Sequence, residues 1–115
     1  MEIGEGPDLD RAVAEAVGLV CMARVLGSGL QFFTDPRDPL PGLIVFQPSA
    51  DMNDAFHAAE KARLFNDSYR VLRKDVLDGT WEVVDVLASS EVMLASENTP
   101  ALAICAAIIN RKQTL

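Results

Sequence analysis

His57 is the only histidine of the chain, and its neighbours frame the first chemical question. Asp54 stands three positions before it and Lys61 four after, so a helix would gather carboxylate, imidazole and amine on one face. Asp-x-x-His supplies part of a metal site, but a divalent metal asks for three or four ligands and no second histidine exists. The spacing therefore predicts a surface histidine paired with Asp54, and no metal. A cysteine nucleophile needs a nearby base and a reachable, polarised setting. Cys105 stands instead among Ile104, Ala106, Ile108 and Ile109, which predicts a buried, inert thiol. Cys21 has Arg24 nearby, but its flanks are Val20 and Met22 and favour packing. Two unpaired thiols fit a reducing compartment, the cytoplasm.

Arg63, Arg70, Arg73 and Lys74 form the one basic cluster and are the candidate ligand-binding residues for a phosphate or nucleotide. On a strand, Arg70 and Lys74 share a side with Leu72, while Arg73 points with Tyr69 and Val71, so the cluster divides over two faces. Pairing with Asp67, Asp75 and Glu82 is the competing use of these charges. The proline-rich loop Thr34–Gly42 presents Asp35, Arg37 and Asp38 on a stiffened backbone and is the candidate interaction loop. No glycine-rich phosphate cradle, paired-cysteine metal site or serine nucleophile motif occurs, and no residue pattern calls for a cofactor. Asp51 and Asp54 are explained as helix caps.

These residues sit on a chain of 115, half of it hydrophobic and 23% charged, which suits one folded domain. Residues 1–7 read as a flexible arm and 8–115 as the domain. The net charge of −7 lies wholly in residues 1–60, with ten acids against three bases; residues 61–115 carry seven of each. Such an acidic chain repels phosphate backbones, so general nucleic-acid binding is not expected. The longest apolar run, Ala101–Ile109, is far short of the ~20 residues of a membrane helix, and the acidic N-terminus has no signal-peptide core.

Asp8 caps a helix reaching about Val20, with Gly18 weakening its end. Leu30–Phe33 and Leu43–Gln47 read as strands around the proline loop. Ser49 or Asp51 caps a second helix to about Phe65, with Met52, Ala55, Phe56, Ala59 and Ala62 as its buried stripe. Tyr69–Val76, Trp81–Leu87 and Glu91–Ala95 read as a meander, its first turn marked by Asp78-Gly79. Thr99-Pro100 opens a last helix, apolar on every side, ending near Asn110. The order α-β-β-α-β-β-β-α predicts an α+β fold with a mainly antiparallel sheet of about five strands and three helices. One side of the last helix faces that sheet; its other side is open to a further element or to a second copy of the chain.

Three stretches resemble the phage ABA sandwich domain family: Leu9-Asp10-Arg11-Ala12-Val13-Ala14-Glu15; Pro48-Ser49-Ala50-Asp51-Met52-Asn53-Asp54-Ala55-Phe56-His57-Ala58-Ala59-Glu60-Lys61; and Trp81-Glu82-Val83 with Ser96-Glu97-Asn98-Thr99-Pro100-Ala101-Leu102-Ala103-Ile104-Cys105-Ala106-Ala107. The family pattern has an aromatic residue where Pro48 stands and a tryptophan where Phe56 stands. The resemblance spans roughly residues 8–112 and implies a layered α/β/α sandwich of phage or prophage origin. It implies no catalytic chemistry.

The leading expectation is thus a non-enzymatic accessory protein in the host cytoplasm that binds a host protein or small signalling molecule. A nucleotide or phosphate binder, with or without hydrolysis, and a virion structural or assembly component are the rivals.

Overall fold

The computed structural model describes residues 6–25, 27–28, 30–38, 42–66 and 69–113, the last two through their backbone. Residues 1–5 of the expected arm, 39–41 of the proline loop and Asp67 lie outside the described residues. Three helices and six strands follow in the order α1 (Pro7–Ala16), β1 (Val20–Arg24), β2 (Gln31–Thr34), β3 (Ile44–Val45), α2 (Met52–Ala62), β4 (Arg70–Asp75), β5 (Thr80–Val86), β6 (Glu91–Glu97) and α3 (Pro100–Gln113). The strands form two separate antiparallel sheets, β1-β2-β3 and β4-β5-β6. The fold is α+β as expected, but the expected single sheet of about five strands is replaced by two sheets of three. No described helix is long and apolar enough to cross a membrane.

The extra strand is β1, which begins where the helix was expected to continue. Helix α1 starts at Pro7, one residue before the expected Asp8 cap, with Asp8 and Asp10 in its first turn where the helix dipole favours them. It ends when Gly18 takes a positive φ of 91°. Gly18 N–H then donates to the Glu15 carbonyl and Leu19 N–H to that of Ala14, a Schellman closure. Leu19 drops into the core and Val20 is freed to pair with Thr34. Gly6 and Pro7, assigned to the arm, are held in place. Gly6 N–H donates to Ser49 Oγ, and the Pro7 carbonyl accepts from Gln31 Nε2 at 2.8 Å. Buried Asp10 completes the clasp by accepting the Ser49 N–H at 2.8 Å. Ser49 therefore anchors α1, and Asp51 alone caps α2, accepting from the N–H groups of Asn53 and Asp54.

Helix α3 is the middle of the molecule. Its residues Ala101–Ile108 are buried except for half-buried Leu102. One side lies on β5 and β6, and the other meets α1 and α2 of the same chain. The face left open by sequence reasoning is thus filled internally. Thr99 Oγ1 accepts the Leu102 N–H at its start, as Thr99-Pro100 predicts. Near its end, Asn110 Nδ2 donates at 2.7 Å to the carbonyl of Leu94. Leu94 is the unpaired residue of a bulge in β6, between Met93 and Ala95, so α3 satisfies a group that the ladder leaves open.

The stripe of α2 departs from expectation at Phe56, which is 48% exposed while Ala58 is buried in its place. The buried side of α2 is Ala55, Ala58 and Ala59, and it meets the alanine-rich α3. Small residues on both helices let the backbones approach closely, and a phenyl ring has no room between them.

Candidate functional site at the C-terminal end of helix α2

Helix α2 closes by the same hydrogen-bond pattern as α1. Arg63 N–H donates to the Glu60 carbonyl and Leu64 N–H to that of Ala59. The residue in the left-handed conformation here is arginine, with φ 54° and ψ 39°, where α1 uses glycine. A side chain in that region costs about 1 kcal/mol or more relative to glycine. Arg63→Gly is expected to raise stability by about 0.5–1 kcal/mol in urea denaturation, less than the strain relieved because glycine also loosens the unfolded chain.

Two more arginines converge on this helix end. Arg111 Nη1 donates to the Ala62 carbonyl at 2.6 Å, and Arg70 Nη1 to the Leu64 carbonyl at 3.1 Å. The last carbonyls of a helix carry partial negative charge, which two guanidinium groups offset. Arg70 also forms a fork with Asp85, through Nε at 2.7 Å and Nη2 at 3.2 Å, opposite it on β5. Beside this end, Phe56, Ala59, Glu60, Phe65 and Asn66 line a shallow, mainly apolar depression of about 160 Å³. Arg111 and Phe65 were not singled out from sequence.

The four basic candidates do not meet in one pocket. Arg63 and Arg70 stand at the end of α2. Arg73 lies on the opposite face of β4, its Nε 3.1 Å from Glu82 and its outer nitrogens 3.0 and 2.8 Å from the two oxygens of Glu91. Glu91 holds the Arg73 guanidinium above its ordinary pKa, with Glu82 second, and Arg73 in turn pulls Glu91 down. Glu91 is on β6, so this side chain reaches across β5. Val84, opposite Val71 in the central strand, is 1% exposed without belonging to the main core. Lys74 Nζ stands 5.9 Å from the centroid of the Trp81 ring, a cation–π geometry. Division over two faces, as strand parity predicts, and internal carboxylate partners leave Arg70 and Arg73 engaged.

In the candidate loop, Asp35 is the organising residue. Its Oδ1 accepts from the backbone and Nε of Arg37, and its Oδ2 from Lys61 Nζ at 2.8 Å, tying the loop to α2. Arg37 Nη2 reaches back to the Val17 carbonyl at 2.9 Å, and exposed Asp38 donates its N–H to the Asp35 carbonyl. The Lys61 ammonium, followed by the Arg37 backbone, holds the Asp35 carboxyl well below the usual carboxylate range. A depressed value means that this tether is intact above the ordinary aspartate pKa near 4 and weakens only as pH falls through the lower folded value. Lys61→Ala should move the Asp35 titration up toward the ordinary value, read by carboxyl-carbon NMR.

His57 is exposed, and Oδ2 of the Asp54 expected beside it accepts instead from the Gln47 N–H at 2.9 Å. Among the described residues, no three His, Cys, Asp or Glu side chains gather closely enough to hold a metal. Burial, with the nearby Asp10 carboxylate second, pushes the Cys105 thiol up to about 12, so it stays protonated and enclosed. Cys21 is half-buried, with Sγ 3.9 Å from Gln31 Oε1. A disulfide reagent at pH 8 should therefore titrate Cys21 in the native state and Cys105 only after denaturation. Rapid native reaction of both thiols would contradict the packing of α3.

Comparison with protein-family models, with curated proteins and with solved structures found no match.

Proposed function

We propose that this chain is a phage- or prophage-encoded accessory protein that works by binding, not catalysis, and seats an apolar side chain of a host cytoplasmic protein at the end of α2. The resemblance of residues 9–15, 48–61 and 81–107 to the phage ABA sandwich family supports the origin. The observation that carries the binding reading is Phe56. A half-exposed phenyl ring beside Phe65 lines a depression large enough for one apolar side chain. The αL arginine next to it favours a role for that side chain over a purely structural one, because glycine would close the helix with less strain.

The test compares partners captured from host lysate by the wild-type chain and by Phe56→Glu, quantified by mass spectrometry. Phe56 is exposed, so the substitution should leave stability within about 0.5 kcal/mol. One host protein enriched by the wild type and lost with Phe56→Glu is the expected result. Equal capture by both, or none above background, overturns the reading. Thermal stabilisation by mono-, di- or cyclic nucleotides would favour the phosphate-ligand alternative, which must displace the carboxylates now on Arg70 or Arg73. Presence in purified virions would point to an assembly role.

A further inference from the structure

Helix α3 is enclosed by its own chain and offers no face to a homodimer. The depression at the end of α2 is open, and its lining combines two kinds of group. Phe56 and Phe65 supply two aromatic rings, the first half-exposed and the second partly buried against the core. Glu60 supplies a carboxylate and Asn66 a side-chain amide, both on exposed residues. Phe56 and Glu60 stand four positions apart on α2, so they are neighbours on one face of the helix. Among the described residues, the Glu60 carboxylate has no ion-pair or hydrogen-bond partner. The nearby cations are committed elsewhere. Lys61 bonds to Asp35, Arg111 to the Ala62 carbonyl, and Arg70 to Asp85 and the Leu64 carbonyl. Arg63, three residues on, forms no ion pair with Glu60.

We infer, on the reading that this depression is a binding site, that what enters it is a basic side chain of the partner, an alkyl stem ending in a cation. A purely aliphatic side chain would strip water from the Glu60 carboxylate and return nothing for it. A lysine or arginine lays its methylene stem along the two rings and gives its charged end to the carboxylate. The faces of the rings carry negative potential and attract the same cation. Phosphate and carboxylate ligands are repelled by Glu60. The net charge of −7 adds a long-range attraction for a basic partner, which salt screens. A volume of about 160 Å³ holds one such side chain, so the contact sets which residue is accepted and leaves most of the affinity to the surrounding surface.

The test titrates the full chain with three capped amino acids and follows its backbone amides by NMR at constant ionic strength. The compounds are the Nα-acetyl amides of lysine, arginine and norleucine, the last being the lysine stem without its ammonium. Saturable shifts within residues 56–66 are expected from the lysine and arginine compounds in the millimolar range, with norleucine binding about fivefold more weakly. Glu60→Gln, at an exposed position, should abolish that preference, and Phe56→Ala should weaken all three. Tighter binding of one cation assigns the site to lysine or to arginine. Norleucine binding as tightly as lysine overturns the inference and leaves the apolar reading standing. Shifts scattered over the acidic surface, or none with any compound, overturn it too. A cation preference without Phe56-dependent capture of a host protein keeps the inference and removes the host partner.

Discussion

Replacing Arg70 with methionine will cost about 3–5 kcal/mol of folding stability, measured as the shift in urea midpoint at constant slope. The Arg70 and Asp85 side chains are only 9% and 16% exposed, and the guanidinium also satisfies the Leu64 carbonyl. Truncation strands a carboxylate in a poorly solvated place and reopens the end of α2. The double variant Arg70→Met with Asp85→Leu should recover much of the loss, because the penalty comes from leaving one charge alone. Arg70 was a ligand-binding candidate from sequence, so the experiment also separates roles. A residue held in reserve for phosphate would be removed with little change in stability.

Enlarging α3 on either of two nearly opposite sides will destabilise the protein to a similar degree. Cys105 and Ala107 are both fully buried and point almost 180° apart around the helix. Cys105→Leu and Ala107→Leu should each cost about 1–3 kcal/mol, read by thermal and urea unfolding. An amphipathic helix would tolerate one of the two on its water side. Tolerance at either position would mean that α3 has an open flank, contrary to its place between the β4-β5-β6 sheet and helices α1 and α2.

What the sequence discloses is local. Thr99-Pro100 marks a helix start because both its hydroxyl and its ring act within one turn, and the structure uses them so. Asp78-Gly79 marks the hairpin because Gly79 needs positive φ, which it has at 70°. Val17 and Val20 keep helical spacing, so periodicity runs straight past the place where α1 stops. The Gly18 closure and the partnership of Val20 with Thr34 decide otherwise, and strand pairing is not a local property. Phe56 fits the apolar stripe of α2 by position, yet the helix meets α3 through alanines and turns the ring outward. The partner of Arg70 is 15 residues away on the next strand and becomes visible only with the register. Arg111 is still less legible, because the carbonyl it serves belongs to a helix 49 positions earlier.

Helix α3, which contacts both the β4-β5-β6 sheet and helices α1 and α2, is also the last of the described elements to leave the ribosome. Until α3 appears, the flank of the β4-β5-β6 sheet and the sides of α1 and α2 that meet α3 lack the helix that covers them. The sheet is completed at Glu97, just ahead of α3, but the buried faces of α1 and α2 are made earlier and wait for it, a matter of seconds at roughly 5–20 residues per second. Insertion of α3 is then a closing step in which sheet, helices and the Leu94 bulge find their partners together. A ribosome stalled before Thr99 would present chaperones with two helices and a sheet that have been made but not sealed.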